Sequence, residues 1–235
     1  MGSEPEHSAE VSGSSAQAGG RQVRDSSRPA APVRSLGAIP DDTILPSGAG
    51  VRPETGAQFL AMVREDLALY AEGAREPGFW AVTLHRFRGW TRSPAFPRVL
   101  LPPATLIYRL AHLVVQTVFG ISLPSSVRLG RRIRIPHQHG IVIHPHASIG
   151  DDCVIRQGVS LGAGSGDDAL FWWQAPQIGR GVSLGAGCVV VGRVTIGDGA
   201  TIGPNAVVMT HIPAGATVLA QNPRIIRPQP EGTAP

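Results

Sequence analysis

Cysteine and aromatic side chains are scarce in this sequence of 235 residues. It has two cysteines, Cys153 and Cys188, and aromatic residues make up 5% of the chain. Because neither cysteine stands in a CxxC pair or in a Cys/His metal spacing, a cysteine-ligated metal site is not expected. Both fall in apolar positions of a repeat described below, so we expect buried free thiols, which suit a reducing compartment.

A long uninterrupted apolar run is also missing. The N-terminal region has no continuous apolar segment of the secretory kind. The most apolar stretch, residues 100–121, contains two prolines, an arginine, a histidine and a glutamine. Since about 20 predominantly apolar residues are needed to span a membrane, we expect a helix packed against a neighbour. We expect a cytoplasmic protein and no contact with a membrane.

Neither sign of charge dominates the sequence. Lys and Arg total 21 against 17 Asp and Glu, which gives a formal charge of +4. The basic cluster RLGRRIR at 128–134 has no interleaved aromatic residues. We therefore interpret this cluster as a solvated face and expect no nucleic-acid partner.

Composition divides the chain into four regions. Residues 1–50 are rich in Ser, Gly, Ala and Pro and poor in large apolar side chains, which predicts a disordered tail. Residues 54–120 place apolar side chains at helical spacing and predict a small α-helical region. Residues 121–225 change to a period of six, and residues 226–235 form a C-terminal tail.

The period of six is the strongest pattern in the sequence. The phase slips by two residues between Ile141 and Ile143, and a longer segment, 163–177, interrupts it once. Fourteen apolar side chains follow this period: Leu123, Leu129, Ile135, Ile141, Ile143, Ile149, Ile155, Leu161, Ile178, Leu184, Val190, Ile196, Ile202 and Val208. Ten small or apolar residues stand four places after members of this series: Val127, Ile133, Ala147, Cys153, Val159, Val182, Cys188, Val194, Ala200 and Ala206.

A period of six with glycine at the turn is typical of neither an α-helix nor a hairpin. It predicts short parallel strands joined by tight corners, with one side chain of each strand directed at a common axis. Stacked coils pair their backbone groups with the coils above and below and bury a continuous apolar column. The predicted class is mainly β: a parallel β-helix preceded by the small α-helical region and the tail.

Several stretches carry a resemblance to a known family: GFWAVTLHRFRGW, FGISLPSSVRLG, HQHGIVI, IRQGVSLG and the segment from IGRGVSLGAG to LAQNPRII. Over about residues 60–225 the chain resembles the serine acetyltransferases, which are hexapeptide-repeat acyltransferases. The resemblance implies a left-handed parallel β-helix, acetyl-CoA as co-substrate, and a homotrimer with a site at each subunit boundary. It also implies that the helical regions can stack trimers further. A second group of the superfamily, which acetylates sugars during exopolysaccharide synthesis, carries a similar HGIVIHP segment.

The resemblance places the family's active-site histidine at His137. A histidine has an unperturbed pKa near 6.5, so it can take a hydroxyl proton and return it at neutral pH. Ser122 stands where the family has the aspartate that orients this histidine, and it can form a hydrogen bond but adds no charge. We predict His137 as general base with Ser122 as its partner. The alternative is a surface histidine on a corner of the coil.

Small residues of the later coils are the candidates for CoA binding, because the pantetheine arm needs close approach to backbone amides. They are Gly162, Gly185, Ala186 and Gly203, with Arg224 as the candidate for the nucleotide phosphates. Each glycine has a plain alternative, a tight corner, and Arg224 has one as part of a solvated tail. Trp173 and Gln174 in the long segment are the candidates for substrate binding. Packing on an adjacent subunit is the alternative for Trp173.

The other histidines near His137 are expected to be structural or solvated. His139 falls at an inward small-residue position of the repeat, which predicts a packed side chain. His144 and His146 fall beside the two-residue slip, which predicts a solvated turn. Nothing in the spacing forces the four histidines to converge, so no metal site is expected.

Three departures from the family pattern leave the acceptor open. Ser122 replaces an aspartate, Pro136 stands where the family has an acid, and the sequence QAP at 174–176 replaces RHP. The lost groups include those that hold the ammonium and carboxylate of an amino acid. The expected function is acetyl-CoA-dependent O-acetyl transfer to L-serine in cysteine biosynthesis. The alternatives are acetylation of a sugar or another hydroxylated metabolite, and a non-catalytic β-helix.

Overall fold

The computed structural model describes residues 49–164 and 175–222. These residues contain three α-helices: α1 (Gly56–Leu67), α2 (Pro77–Thr91) and α3 (Leu101–Thr117), with short 3-10 turns at Gly73–Arg75 and Arg98–Leu100. α1 begins at a capping box in which Thr55 and Gln58 each accept a hydrogen bond from the other's backbone N–H. Prolines stand in the first turn of α2 and of α3, where a missing N–H costs little.

Thirteen short strands follow the helices within the described residues and form three parallel sheets. The first sheet contains β1 (Ile121–Ser122), β3 (Ile141–Ile143), β6 (Ser160–Gly162), β9 (Val189–Val191) and β12 (Val207–Val208). The second contains β2 (Arg128–Leu129), β4 (Ser148–Ile149), β7 (Gln177–Ile178) and β10 (Thr195–Ile196). The third contains β5 (Val154–Ile155), β8 (Ser183–Leu184), β11 (Thr201–Ile202) and β13 (Thr217–Val218). Because the chain visits the sheets in rotation, they are the three faces of the predicted left-handed parallel β-helix.

The interior of the β-helix is the predicted apolar column. All fourteen residues of the six-residue series and all ten of the small-residue series are buried, and none is more than 5% exposed. Cys153 and Cys188 are free and buried, as expected. Their burial raises the pKa of Cys153 to about 12 and that of Cys188 to about 11. Since each fully buried large aliphatic side chain contributes roughly 1.5–3 kcal/mol, this column is the main source of stability.

The two extra residues of the period lie in a different corner from the one predicted. Arg134 bridges Val154, an offset of 154 − 134 = 20 residues between neighbouring coils. Val142 pairs with Ser160, an offset of 160 − 142 = 18. The insertion therefore falls between these two points, in residues 136–139, which we call the corner bulge.

The corner bulge corrects two expectations from the sequence. Ile141 and Ile143 belong to one strand, β3, so no slip separates them. Ile141 aligns with Val159 of the next coil and thus occupies the inward small-residue position. His139, expected to be packed there, is exposed on the bulge with a φ of 73°. The six-residue count placed Ile141 wrongly because the step from Ile135 to Ile141 is also six residues long. It consists of a regular step of four residues and the two inserted ones.

A buried ion pair ties the helical region to the coil just before the bulge. Arg86 of α2 lies 3.2 Å from the Asp66 carboxylate of α1, and both side chains are 1% exposed. The Arg86 guanidinium also donates to the carbonyl oxygens of Leu129 and Gly130. Burial raises the pKa of Asp66 even though the Arg86 cation opposes this shift. Such a pair fixes the orientation of the helices on the coil more than it adds stability.

α3 packs against a neighbour, α2, as expected, but only one side of the helix is buried. One side, with Ala104 and Val115, is buried against the rest of the chain. The opposite side presents five aliphatic side chains that are between 47% and 61% exposed: Leu106, Ile107, Leu110, Leu113 and Val114. By length and composition alone, the helical segment Arg98–Thr117 could cross a membrane. Within the part of the chain that the structure describes, no element covers this apolar face.

Candidate active site

The corner that joins the third face to the first carries four of the six predicted site residues that fall in the described ranges. On successive coils it is formed by the corner bulge and by residues 156–158, 185–187 and 203–205. Backbone hydrogen bonds connect each of these segments to the next along the edge. His137 therefore lies on the same edge of the β-helix as Gly185, Ala186 and Gly203.

The glycines proposed for CoA binding differ in their surroundings. A Cβ on Gly185 would lie 2.6 Å from the carbonyl oxygen of Ile202, and one on Gly203 would lie 2.8 Å from that of Val218. Close stacking of the coils thus accounts for both. Gly162, at the end of β6 on the first face, has nothing within 4 Å of an added Cβ. Its open surroundings leave room for a ligand, and the role of all three glycines remains a prediction.

His137 lines an open cavity of about 660 Å³ between the coil and the helical region. The coil side of the cavity includes Pro136, Gln138 and Arg156, and the helical side is formed within residues 71–77. The His137 side chain is exposed and forms no hydrogen bond with another described residue. Both ring nitrogens are therefore available to a bound acceptor.

Charged side chains of both signs line this cavity. They are Arg75, Arg134 and Arg156 together with Glu72 and Glu76. The Glu76 carboxylate accepts a hydrogen bond of 3.0 Å from the backbone N–H of Glu72. Sequence reasoning missed this group, because it took the cluster around Arg134 as a solvated face. The sequence could have predicted Arg156 at this site, because the alignment of the coils places it one coil after Pro136, the neighbour of His137.

Tyr70 and Gly78 bring the helical wall of the cavity onto the coil. The Tyr70 hydroxyl donates to the Ile133 carbonyl over 3.3 Å and accepts from the Ile135 N–H over 3.1 Å. Burial raises the pKa of Tyr70, so this hydroxyl stays protonated. Gly78 in the first turn of α2 lies so near Ile135 that an added Cβ would be 2.0 Å from its carbonyl oxygen. The shape of the cavity thus depends on a glycine and a tyrosine that flank its helical wall.

Ser122 lies in β1 on the first face, where its backbone partner is Val142 of β3. In the ranges 49–164 and 175–222, no hydrogen bond joins the Ser122 hydroxyl to His137. Its predicted part in orienting the base therefore has no contact within one subunit to support it and stays a prediction.

His144 and His146 form a local pair on the corner after β3. The His146 N–H donates to Nδ1 of His144 over 3.2 Å, and the two rings lie 5.7 Å apart. Both side chains are half-buried rather than fully solvated, and burial lowers the pKa of each. Among the described residues, no three His, Cys, Asp or Glu side chains are grouped so that they could hold a metal ion.

Three further site predictions, Trp173, Gln174 and Arg224, lie outside the described residues. Their predicted contacts with substrate and with CoA therefore remain predictions. The coil is described on both sides of the long segment, up to residue 164 and again from residue 175.

Known proteins are similar to this chain in sequence and in structure. A family model described as bacterial transferase hexapeptide (six repeats) matches residues 175–209. A serine acetyltransferase of Synechococcus elongatus is 35% identical over 153 residues, which is 64% of this chain and 57% of the relative. A serine acetyltransferase of Helicobacter pylori is 34% identical over 138 residues, which is 52% of this chain and 79% of the relative.

Similarity also extends to a protein named for colanic acid biosynthesis, the acetyltransferase WcaB of Escherichia coli. It is 30% identical over 136 residues, which is 58% of this chain and 80% of the relative. Among solved structures, the serine acetyltransferase of Neisseria gonorrhoeae matches with a TM-score of 0.56 and 27% identity, covering 71% of this chain and 65% of that one. The chain thus spans just over half the length of the Synechococcus relative and about four fifths of the two shorter relatives.

Proposed function

We propose that this chain transfers an acetyl group from acetyl-CoA to a hydroxyl acceptor. The chain belongs to the serine acetyltransferase group of the hexapeptide-repeat acyltransferases. L-serine is the first candidate acceptor, since two of the relatives are named for it. The observation that carries the proposal is the position of His137, which projects from the corner bulge into the 660 Å³ cavity. The reaction belongs to cysteine biosynthesis if L-serine is the acceptor.

His137 acts in this proposal as a general base and then as a general acid. Its imidazole takes the proton of the acceptor hydroxyl while the oxygen attacks the thioester carbonyl of acetyl-CoA. The tetrahedral intermediate collapses, the carbon–sulfur bond breaks, and the imidazolium returns the proton to the departing thiolate. Backbone N–H groups of a nearby corner can stabilise the oxyanion. One acetyl group passes from sulfur to oxygen, and one proton passes the other way.

CoA is placed by this proposal along the edge that runs away from the corner bulge. On the later coils of that edge Ala186 is half-buried, and Pro204 and Asn205 are exposed. Gly162 offers an open position on the first face. An extended pantetheine arm suits such a surface, because backbone groups can bond its amides without side chains in the way.

The quaternary structure we propose is a homotrimer in the cytoplasm. The exposed aliphatic face of α3 supports the assembly, because another copy of the chain would remove these side chains from water. Two buried free thiols suit a reducing compartment. Helical regions of two trimers could stack in addition.

A sugar or another hydroxylated metabolite is the second candidate acceptor. Its support is the set of departures Ser122, Pro136 and Ala175, which stand where the resemblance implies groups that bind an amino acid. The similarity to WcaB points the same way. A non-catalytic β-helix is the third reading, and His137 beside a cavity argues against it.

Release of CoA thiol from acetyl-CoA separates these readings. The purified chain is mixed with acetyl-CoA and either L-serine or a panel of sugars, and free thiol is followed over time. Release with L-serine supports the first acceptor, and release with sugars alone supports the second. Silence with every acceptor, together with no binding of CoA by calorimetry, would contradict the enzyme reading.

We predict that His137→Ala lowers turnover by about a hundredfold to ten-thousandfold, the range that a general base contributes. His139→Asn is the matched control on the same bulge, because asparagine tolerates the left-handed φ of 73°. The control should retain activity, and circular dichroism checks that both variants fold. A folded His137→Ala variant with full turnover would show that another group is the base.

A further inference from the structure

Three arginines of the cavity form no ion pair with an acidic side chain of the described residues. Arg75, Arg134 and Arg156 line it and are exposed to it. The ion pairs found among the described residues join other groups: Arg86 with Asp66, Arg131 with Glu65, and Arg132 with Asp151 and Asp152. The guanidinium groups of the cavity are therefore free to bind a ligand.

The charges of the cavity leave a cationic surplus. Three arginines against Glu72 and Glu76 give a formal charge of +3 − 2 = +1 for these five side chains. The Glu76 carboxylate is already engaged by the backbone N–H of Glu72. An acceptor with one anionic group would balance this surplus, whereas a neutral acceptor would leave one positive charge of the cavity unbalanced.

Two of these arginines lie beside the corner bulge, one on the same coil and one on the next. Arg134 precedes the bulge by two residues and bridges Val154 of the next coil. Arg156 follows Val154 by two residues and sits one coil after Pro136. A group bound by both arginines therefore lies beside His137, and a guanidinium fork suits the two oxygens of a carboxylate or phosphate.

We infer that the acceptor carries an anionic group, a carboxylate or a phosphate, next to its reactive hydroxyl, and that Arg134 and Arg156 bind this group. The inference rests on the proposed function, since it concerns the acceptor of the same acetyl transfer. Arg75 faces the bound group from the helical wall. Glu72 and Glu76 can meet a cationic group if the acceptor has one.

The phosphates of CoA are the other source of negative charge in this reaction. They lie at the far end of the pantetheine arm from the thioester, whereas these arginines share one cavity with the base that acts at the thioester. A role in CoA binding would raise the KM for acetyl-CoA. A role in acceptor binding raises the KM for the acceptor alone.

Paired acceptors test the inference in thiol release with the whole chain. L-serine is compared with L-serine amide, a uronic acid with its neutral parent sugar, and a sugar phosphate with the free sugar. The wild type should use at least one anionic member well and its neutral partner poorly. The pair that shows the difference tells whether the anionic group is a carboxylate or a phosphate. It also tells whether the acceptor is an amino acid or a sugar.

Arg156→Gln and Arg134→Gln should each raise the KM for the anionic acceptor by about ten- to a hundredfold, the range for one lost charge-assisted hydrogen bond. The kcat should change little, and the KM for acetyl-CoA should stay within about twofold. Arg156→Lys keeps the charge and should recover part of the loss. Arg64→Gln, an exposed arginine of α1 outside the cavity, is the control.

The failures of the inference and of the proposed function can be told apart. Turnover with neutral acceptors as fast as with anionic ones would leave acetyl transfer intact and overturn the inference. A rise in the KM for acetyl-CoA alone would overturn it as well, by assigning the arginines to CoA. Absence of thiol release with every acceptor would overturn the proposed function itself.

Discussion

His85 shows how one buried ring constrains the protein. Its Nε2 donates to the Val127 carbonyl over 3.0 Å, while Nδ1 has no hydrogen-bond partner among the described residues. Burial lowers the pKa of His85 to about 3, and the neighbouring Arg86 cation adds to the shift. A proton on Nδ1 would be a buried charge without an acceptor, so the folded protein holds this ring neutral.

The stability of the fold should therefore decrease as the pH falls from about 6.5 towards 3. In this window the unfolded chain protonates His85 and the folded chain does not, so protons favour the unfolded state. Urea unfolding at about pH 7 and about pH 5 should show a loss near 2 kcal/mol from this residue. His85→Gln keeps a donor for Val127 and cannot titrate. The free energy of unfolding of this variant should therefore fall by about 2 kcal/mol less between the two pH values than that of the wild type. Equal losses in the two proteins would contradict the account.

The start of α2 shows how an element shapes the cavity. Gly78 is buried against Ile135, and the next residues of the coil form the corner bulge with His137. The preceding turn carries Glu72 and Arg75. A shift of this helix would move the helical wall away from the base, because wall and helix are continuous in the chain.

We predict that Gly78→Ala lowers both stability and turnover. The added Cβ would meet the backbone of Ile135 rather than a flexible side chain, and overpacking of this kind costs about 1–3 kcal/mol. Displacement of a catalytic group by about 1 Å can cost a hundredfold in rate. Gly89→Ala in the same helix is the control, since its Cβ would make ordinary contacts with Pro53 and Arg52. It should be neutral or slightly stabilising, as measured by thermal unfolding and thiol release.

At the scale of the whole molecule, the aliphatic face of α3 is an apolar surface that the described residues of one chain leave uncovered. Each of its large side chains would contribute roughly 1.5–3 kcal/mol on full burial, and about half of that is still available. The homotrimer proposed above would use this free energy. The same face would instead bind lipid if the segment Arg98–Thr117 met a membrane.

We predict that Leu110→Glu shifts the protein from trimer towards monomer. A carboxylate in an apolar contact has no partner there and costs several kcal/mol. Gln116→Glu adds the same charge to an exposed position on the flank of α3 and should leave the assembly intact. Light scattering on a sizing column measures the mass of each variant, and flotation with anionic vesicles tests lipid binding. A trimer unchanged by Leu110→Glu would place the subunit contact elsewhere.

The assignment of residues to inward positions of the β-helix shows how far the sequence could predict the fold. Counting by six found most of the buried side chains of the column, because a position that faces the axis must be apolar whatever surrounds it, but it did not find Ile121 or Ala175. The same count placed His139 inside, because it could not tell an inserted pair from a regular step. Only the pairing of Arg134 with Val154, set against that of Val142 with Ser160, locates the insertion.

The sequence by itself determined the parallel β-helix, its buried column and a histidine at the motif that the family resemblance marks. Tertiary structure alone decided that this histidine stands on a bulge, that Arg156 of the next coil shares its cavity, and that the opposite wall is formed within residues 71–77. The reason is that a periodic pattern records contacts within the column, which recur at fixed spacing. Contacts between the coil and a helix some sixty residues upstream have no period, and depend on how the helical region packs on the coil.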